Sequence, residues 1–508
     1  MSNSPEYNFA SWKKKEPEII KTYDTSNPPE YKLHLQYPKG WRYLMYKPHT
    51  SELTENGIPV SLESISMDYK KGHYQEWIPN SPSNPAKKSE KPTNIKIQMG
   101  LKCNYACSYC NQAQFVPNSF QGNPAEAQKF LDELETWFKS DGNETRFEFW
   151  GGEPLVYIKV LKVLAEGLRK KYPKAEFNII TNGSMLTPEI VDWLDSLDFQ
   201  VGISHDGAVY KDQRGEDVLC KPETLAAIKY AYNKLFPKRR IGFNCVLTVK
   251  NYSLAKVREY IAEKLGVSQF DIPLTTEEIM LPYDAGGMML SPTLPEEQKE
   301  MKEVLFEEAA FGRSLGIATV FDKIGDFFNS IRTSRPFTVF GQKCGMDDPN
   351  ILAVDLKGNT MTCQNVNANL PSHNTGTYKD IKAIEMTLVH HFRTRSECVR
   401  CPVVQLCKGA CLFLENEYWT KACDVSYNYN VAMFGAALYR LTGGVLRYIE
   451  GTPRRDNMHD KIEIISQDFI DRLMKKPEEV TVWTKTTKTV NANHVPAVKK
   501  LSASVLRD

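Results

Sequence analysis

Short apolar segments alternate with amphipathic helical segments between residues 93 and 273. This alternation is typical of parallel strands that are joined by helices. It predicts strands at 94–99, 146–150, 176–181, 199–204, 240–249 and 269–273. It predicts helices that begin at Pro124 after an Asn123 cap, near Leu155 and at Pro188, and further helices over 223–235 and 254–265. We therefore expect an α/β fold with functional loops at the carboxyl ends of its strands, either a partial TIM-like (β/α)6 barrel or a doubly wound sheet.

The N-terminal 92 residues differ from this central region. Aromatic and β-prone residues are concentrated between Tyr31 and Tyr46, and a stretch with Pro, Ser and Lys runs from Pro79 to Pro92. The stretch is typical of a linker, so we expect residues 1–92 to form a separate extension. The extension either docks a partner or forms a small sheet that braces the barrel.

The length of 508 residues exceeds that of one ordinary domain. We place the barrel at 93–335 and a cysteine-rich module at 336–426. The remaining residues, 427–508, begin with a predicted closing helix over 427–448. The polar sequence beyond Thr452 predicts a solvated tail.

Charge and hydropathy exclude several classes of partner. Lys and Arg outnumber Asp and Glu by only two, so neither a nucleic acid nor an anionic membrane is expected as the main partner. No apolar run reaches the roughly 18–20 residues of a bilayer span, and the polar N-terminus lacks the apolar stretch of a signal peptide. We therefore expect a cytoplasmic protein. In that reducing compartment, the twelve clustered cysteines predict metal or cluster ligands rather than disulfides.

Three cysteines, Cys103, Cys107 and Cys110, follow the first predicted strand with CxxxCxxC spacing. Three thiolates can bind three irons of one [4Fe-4S] cubane and leave the fourth iron open. A zinc site and an unrelated group of buried thiols are the alternatives, but zinc usually has four protein ligands in a structural site.

The cysteine triad resembles that of the radical S-adenosylmethionine (SAM) superfamily, and three later motifs extend the resemblance. They are similar to the GGEP motif after the second strand (151–154), the TNG turn after the third (181–183) and the SLDG and HDxxR pair after the fourth (203–214). The resemblance implies that SAM is contacted by Tyr109, Gly151, Gly152, Glu153, Asn182, Ser204 and Arg214. It also implies reductive cleavage of SAM to a 5'-deoxyadenosyl radical that abstracts hydrogen from a substrate. The electron would come from an external donor such as flavodoxin or ferredoxin.

Seven further cysteines lie within residues 344–423, and their spacing resembles that of a SPASM domain. The resemblance implies one auxiliary [4Fe-4S] cluster on Cys398, Cys401, Cys407 and Cys423, and a second on Cys344, Cys363 and Cys411. Together with the SAM-binding cluster, the resemblance therefore implies three [4Fe-4S] clusters. Family members in which the second auxiliary cluster is fully ligated have an additional cysteine a few residues before the first SPASM cysteine. Residues 337–343 supply no thiol, so the resemblance implies an open iron in the second auxiliary cluster. A pair of structural zinc sites is the alternative.

SPASM domains imply a peptide or protein substrate, and the chain is similar to anaerobic sulfatase-maturating enzymes. The proton acceptor of those enzymes is an aspartate directly after the second SPASM cysteine, where this chain has Gln364, which is no base at ordinary pH. The difference favours another peptide modification, such as cross-linking, epimerisation or backbone cleavage. A small-molecule dehydrogenase and a non-catalytic iron–sulfur scaffold remain as alternatives.

Overall fold

The computed structural model describes residues 28–65, 85–281, 285–314, 316–339, 341–386, 391–451 and 461–474. Residues 79–84 of the predicted linker and most of the predicted tail lie outside these residues. The elements below are numbered along the chain.

The N-terminal region forms four antiparallel strands: β1 (Tyr31–Tyr37), β2 (Gly40–Lys47), β3 (Glu52–Glu55) and β4 (Ile58–Pro59). A short strand, β5 (Ala86–Lys87), then leads to the barrel, and Lys88 after it is buried. The aromatic region therefore forms a small sheet, and whether this sheet also docks a partner stays a prediction.

Six parallel strands form the barrel: β6 (Asn94–Gln98), β7 (Arg146–Trp150), β8 (Glu176–Thr181), β9 (Phe199–Ser204), β10 (Ile241–Leu247) and β11 (Leu274–Ile279). The predicted α/β fold with six parallel strands is confirmed. The position of the sixth strand was predicted wrongly, because residues 269–271 form a 3-10 helix capped by the Ser268 side chain. Pro273 has no N–H for a ladder, and the strand begins one residue later.

Helices separate the strands and continue beyond them. They are α1 (Pro124–Trp137), α2 (Ile158–Lys171), α3 (Pro188–Ser196), α4 (Tyr210–Gln213), α5 (Pro222–Leu235), α6 (Leu254–Leu265), α7 (Ala285–Leu290), α8 (Pro295–Ala310) and α9 (Ala318–Arg332). Helix α1 begins as its sequence predicts, since Asn123 and Glu126 form a reciprocal capping box.

The cysteine-rich region is built on the edge of the barrel sheet. Strand β12 (Ile351–Asp355) pairs in parallel with β6, and β13 (Asn359–Met361) and β14 (Asn374–Thr377) follow it antiparallel. Strand β15 (Glu385–Met386) pairs with β5, and two short helices follow, α10 (Ser396–Val399) and α11 (Val404–Cys407). Barrel and cysteine region therefore share one nine-stranded sheet.

The C-terminal elements return to the N-terminal sheet. Helix α12 (Asn416–Thr442) is followed by β16 (Val445–Glu450), which pairs with β1, then by β17 (Lys461–Glu463) and α13 (Gln467–Met474). The predicted helix over 427–448 began too late and ended too late, because Gly443 adopts a left-handed conformation that stops α12. The domain boundary placed before residue 427 lies inside α12, and the division into domains stays a prediction.

The predicted solvated tail is wrong for residues 461–474. Ile464, Ile465 and Phe469 are buried, so a few apolar residues in a polar sequence suffice to dock this segment on the sheet. Residues 475–508 lie outside the described part of the chain. Among the described residues, no helix combines the length and the apolar character that crossing a membrane requires.

The two faces of the barrel strands differ in polarity. One face is apolar and buried in the main core, and it is formed by Ile95, Ile97, Phe147, Phe149, Phe177, Ile179, Phe199 and Val201. On the other face, Lys96, Glu148, Asn178 and Gln200 are partly exposed neighbours across four strands. Because a closed barrel fills its interior with branched apolar side chains, this polar and solvent-reaching inner face is suited to a ligand.

Candidate active site

The loop after β6 carries the three cysteines at the carboxyl edge of the barrel. Burial raises the pKa of the Cys103 thiol and raises that of Cys107 to about 12. Such thiols ionise when a metal cation takes the place of the proton. The Arg214 guanidinium also favours the Cys107 thiolate, and the backbone N–H of Tyr105 donates to Cys103 Sγ at 3.3 Å. The chemistry of this loop therefore fits a cationic cluster.

The cysteine side chains do not converge on a single point. In the part of the chain that the structure describes, no three His, Cys, Asp or Glu side chains meet in the arrangement that holds one metal ion. A cubane distributes its thiolates over different irons, so its ligands lie farther apart than the ligands of one zinc ion. The electrostatic interactions among Cys103, Cys107 and Cys110 show that the three thiols share one neighbourhood.

The GGEP motif is attached to the cysteine loop through backbone hydrogen bonds. Gly152 N–H donates to the Gly100 carbonyl at 3.2 Å, and Glu153 N–H donates to the Lys102 carbonyl at 3.0 Å. A side chain at Gly152 would place its Cβ 2.4 Å from the Leu101 carbonyl oxygen. The glycine is therefore required because two backbones approach each other here.

Gly152→Ala is expected to displace the cysteine loop and to reduce the iron content of the reconstituted chain, because backbone atoms cannot move aside as a flexible side chain can. Iron and sulfide analysis after anaerobic reconstitution measures this. Gly435→Ala, on α12, is the matched control, since its Cβ would lie 3.3 Å from a Phe306 ring atom. An iron content equal to that of the control variant would contradict the expectation.

Glu153 connects the GGEP motif to the TNG turn. Its carboxylate accepts hydrogen bonds from Leu155 N (3.0 Å), Thr181 Oγ1 (2.7 Å) and Asn182 N (2.7 Å). Asn182 Nδ2 in turn donates to Asn104 Oδ1 in the cysteine loop at 2.9 Å. The structure thus brings three predicted site residues, Gly152, Glu153 and Asn182, against the cysteine loop. Glu153 uses its carboxylate to hold the loops together.

Asp206 is the buried acceptor at the centre of a hydrogen-bonded group that also contains Tyr109 and Arg214. Its carboxylate accepts from Arg214 Nε (2.7 Å), Arg214 Nη2 (3.1 Å), Tyr109 Oη (2.5 Å) and the backbone N–H of Val246 (3.1 Å). The Arg214 guanidinium also lies 5.3 Å from the Tyr109 ring centroid. Two predicted SAM contacts, Tyr109 and Arg214, are therefore brought together by a residue that the sequence interpretation did not select. Ser204 ends β9 beside this group, on the inner face of the sheet.

His205 and Asp217 form a second buried pair behind Asp206. Asp217 Oδ1 lies 2.9 Å from His205 Nε2, and Asp217 Oδ2 accepts from Tyr260 Oη at 2.6 Å. Burial opposes ionisation of Asp217, but the hydrogen bond and charge of His205 and the Tyr260 hydroxyl outweigh it, and its pKa falls from 3.8 to about 2. This pair fixes the loop that carries Arg214.

Asp217→Asn is expected to destabilise the chain at pH 7 by about 1.5–3 kcal/mol, the usual contribution of hydrogen bonds to a charged group. Because the folded pKa lies below the unfolded one, this stabilisation is present above pH 4 and is lost as the pH falls toward 2. Calorimetry between pH 7 and pH 3 should show a difference from wild type that shrinks toward acid. Glu216→Gln, at an exposed ion pair with Lys221, serves as the control, and a difference independent of pH would refute the assignment.

Four of the downstream cysteines line one small pocket. This four-cysteine site consists of Cys398, Cys401, Cys407 and Cys423, and Trp419 and Tyr427 also line it. Burial raises the pKa of Cys398 far above its ordinary value, and the neighbouring Cys423 and Cys407 add to the shift. Four crowded thiols around an apolar cavity fit a cationic group that would neutralise them.

The remaining three predicted ligands also lie near one another. The Cys363 thiol interacts electrostatically with Cys411 and with Cys344, which is exposed. Lys96, on the inner face of the barrel, interacts with both Cys344 and Cys363. Gln364 presents its backbone carbonyl to Gln98 Nε2 at 2.7 Å, two residues along β6 from Lys96. The second cysteine group therefore lies beside the polar inner face.

Two cysteines, Cys220 and Cys245, belong to none of the predicted cluster sites. Cys245 is buried in β10, as its apolar surroundings predict, and Cys220 is exposed beside Tyr260. The sequence interpretation missed Asp206, Lys96, Glu148 and Glu278. Asp206 lies within a motif that it quoted, but a single sequence carries no signal for the other three until the strands are placed side by side.

Comparison with known proteins shows which superfamily the central region of the chain resembles. The sequence model of the radical SAM superfamily matches residues 97–253, so the chain contains a radical SAM domain. Members of this superfamily are enzymes, and the family implies SAM and a [4Fe-4S] cluster.

The chain is also similar to two proteins of known class and to one solved structure. The serine-type anaerobic sulfatase-maturating enzyme of Bacteroides thetaiotaomicron is 22% identical over 353 residues, which cover 63% of this chain and 83% of that protein. The radical SAM cyclopropyl synthase TigE of Paramaledivibacter caminithermalis is 26% identical over 169 residues, 31% of this chain and 35% of TigE. A solved structure of native anSMEcpe with bound AdoMet is 20% identical, with a TM-score of 0.49 over 69% of this chain and 98% of that one.

Proposed function

We propose that this chain is a radical SAM enzyme that modifies a peptide or protein substrate with the help of two auxiliary iron–sulfur clusters. The observation that carries the proposal is the pairing of β12 with β6 in continuous register from Ile351 and Asn94 to Asp355 and Gln98. Through it, the strand before the predicted SAM-cluster loop pairs with the strand that lies between Cys344 and Cys363 in the sequence. Cyclopropyl synthase and sulfatase-maturating relatives, which are named for modification chemistry, support the same class.

In this proposal, Cys103, Cys107 and Cys110 hold the cluster to which SAM binds, and the predicted SAM contacts surround it. The reduced cluster supplies the electron that cleaves SAM. The chain's own residues hold the substrate against the inner face of the barrel and exclude water from the radical.

The inner face offers groups that suit a polar, extended substrate. Glu148 accepts from Lys96 Nζ (3.1 Å), Asn94 Nδ2 (2.8 Å) and Trp150 Nε1 (3.0 Å), so the indole ring has a fixed orientation. The side-chain oxygens of Asn178 and Gln200 are buried and accept no hydrogen bond within the described structure. Unpaired buried acceptors favour a ligand with N–H donors, such as a peptide backbone.

Anaerobic reconstitution followed by incubation with SAM and dithionite tests the first part of the proposal. We expect 5'-deoxyadenosine and methionine in equal amounts, measured by liquid chromatography. Co-expression with short peptides that are encoded beside the gene tests the second part, with mass spectrometry and amino-acid stereochemistry as readouts. Reconstituted chain that forms no 5'-deoxyadenosine would support a cluster scaffold, and turnover only with a small molecule would support a dehydrogenase.

A further inference from the structure

A buried carboxylate between two lysines lies outside the groups described so far. Glu278, near the end of β11, has a side chain that is only 6% exposed. Its Oε1 lies 2.6 Å from Lys323 Nζ on α9, and its Oε2 lies 2.7 Å from Lys343 Nζ. We call these three residues the charged trio. Burial lowers the pKa of Lys323 and Glu278 opposes that shift, while the Glu278 carboxylate raises the pKa of Lys343. With both lysines protonated, two ammonium groups share one carboxylate and the net charge is positive.

The charged trio forms hydrogen bonds to chain segments that carry cysteines of the four-cysteine site. Lys323 Nζ also donates to the Leu406 carbonyl at 2.8 Å and to Asn430 Oδ1 at 2.7 Å. Leu406 immediately precedes Cys407, and Asn430 lies on α12, the helix that carries Cys423. The trio thus contacts the two chain segments that hold half of the site's thiols.

Lys343 also contacts the chain segment that carries Cys407. The backbone N–H of Lys343 donates to the Lys408 carbonyl at 3.0 Å, directly after Cys407. All three members of the trio interact electrostatically with the Cys407 thiol, where the lysines favour the thiolate and Glu278 opposes it. The charges that act on Cys407 therefore include two cations and one anion, in addition to the other thiols and the neighbouring Lys408–Asp326 ion pair.

The backbone at Glu278 indicates that the placement of this carboxylate is constrained. Its φ is +73°, in the left-handed region that a glutamate rarely adopts. Strain of this kind persists only where surrounding interactions hold it. The two ion pairs and the hydrogen bond from Glu278 N to Thr276 Oγ1 (3.0 Å) supply those interactions.

A fixed positive charge has a definite effect on a neighbouring iron–sulfur cluster. A cubane bound by four thiolates is anionic, and reduction makes it more anionic. A cation in a medium of low dielectric constant stabilises the reduced form more than the oxidised form, so it raises the reduction potential. Removal of the cation lowers the potential, and an added anion does the same.

We propose that the charged trio Lys323–Glu278–Lys343 raises the reduction potential of the auxiliary cluster in the four-cysteine site and so favours that cluster as an electron acceptor. The inference rests on the auxiliary cluster of the proposed function. It assigns Lys323 and Lys343 as positioning and tuning residues, and neither touches substrate.

Redox titration of the reconstituted full-length chain, followed by electron paramagnetic resonance, tests the proposal. The three residues Cys103, Cys107 and Cys110 are replaced by alanine in every sample, so that only the auxiliary clusters titrate. In this background, Lys323→Met is expected to shift one midpoint potential to more negative values. Lys323→Arg, which keeps the charge, is expected to leave it close to that of the parent.

Asn430→Asp provides an independent arm if Lys323→Met fails to fold. It changes one atom of the Lys323 partner, adds a negative charge at the same place and is expected to lower the same potential. Equal potentials in the parent, Lys323→Met and Asn430→Asp samples would overturn the proposal, and so would equal shifts for Lys323→Met and Lys323→Arg. Absence of a cluster from the four-cysteine site, measured by iron content, would also overturn it. Because the titration needs neither SAM nor substrate, a failure here is separate from a failure to modify a peptide.

Discussion

Cys107→Ala is expected to abolish the formation of 5'-deoxyadenosine and to remove about four irons per chain, the content of one [4Fe-4S] cluster. Cys107 lies between the other two thiols of the loop, and its thiolate is the one that the Arg214 guanidinium stabilises. Two thiolates hold a cubane poorly, since two irons would then lack a protein ligand. Iron analysis and product chromatography measure the two effects.

Cys220→Ala is the matched control for this prediction. Cys220 is an exposed thiol that lies beside Tyr260 and Asp217, and it belongs to none of the three predicted cluster sites. It should retain the full iron content and the full rate of SAM cleavage. A Cys107→Ala chain with unchanged iron content would show that the loop is no cluster site.

Asp206→Ala is expected to destabilise the chain by about 3–5 kcal/mol, the usual cost of removing one partner of a buried ion pair. Asp206 is fully buried, and its removal leaves the Arg214 guanidinium, the Tyr109 hydroxyl and the Val246 N–H without their acceptor. Because Tyr109 and Arg214 are predicted SAM contacts, the variant should also bind SAM weakly.

Thermal denaturation and equilibrium dialysis with SAM measure the two effects of Asp206→Ala. Asp212→Ala is the control, because the Asp212 side chain is 66% exposed and lies 4.0 Å from Lys250. The control should melt close to wild type. Equal melting temperatures for the two variants would mean that the Asp206 network does not stabilise the fold.

The strands that bear motifs could be predicted from the sequence because each combines an apolar face with a polar loop at its carboxyl end. Strands β7, β8 and β9 begin and end where the pattern placed them. The sixth strand was misplaced because the apolar residues of 269–273 form a 3-10 turn, in which Phe270 is left 67% exposed. Local hydrophobicity does not distinguish such a turn from a short strand.

The candidate site could be predicted only where residues lie close together in sequence. The cysteine spacings and the glycine-rich turns are local patterns, and the structure places them around common neighbourhoods. The Lys96–Glu148 pair joins residues 52 positions apart, and Lys343–Glu278 joins residues 65 positions apart. Neither residue pair has a recognisable spacing. Lys96 and Glu148 meet because β6 and β7 are neighbouring strands, and Lys343 reaches Glu278 from a loop that contacts β11 only in the folded chain.

The pairing of β1 with β16 has a consequence for the synthesis of the chain. Leu33 and Ile449 are partners in this ladder, and His34 Nε2 lies 2.6 Å from Glu450 Oε2. At translation rates of about 5–20 residues per second, β1 waits about 20–80 s for its partner to leave the ribosome. Until then, β2 covers one edge of β1 and the other edge remains open to pairing with another chain. The nascent protein therefore passes through a period in which its first sheet is most exposed to aggregation, and that period ends only when β16 has been made.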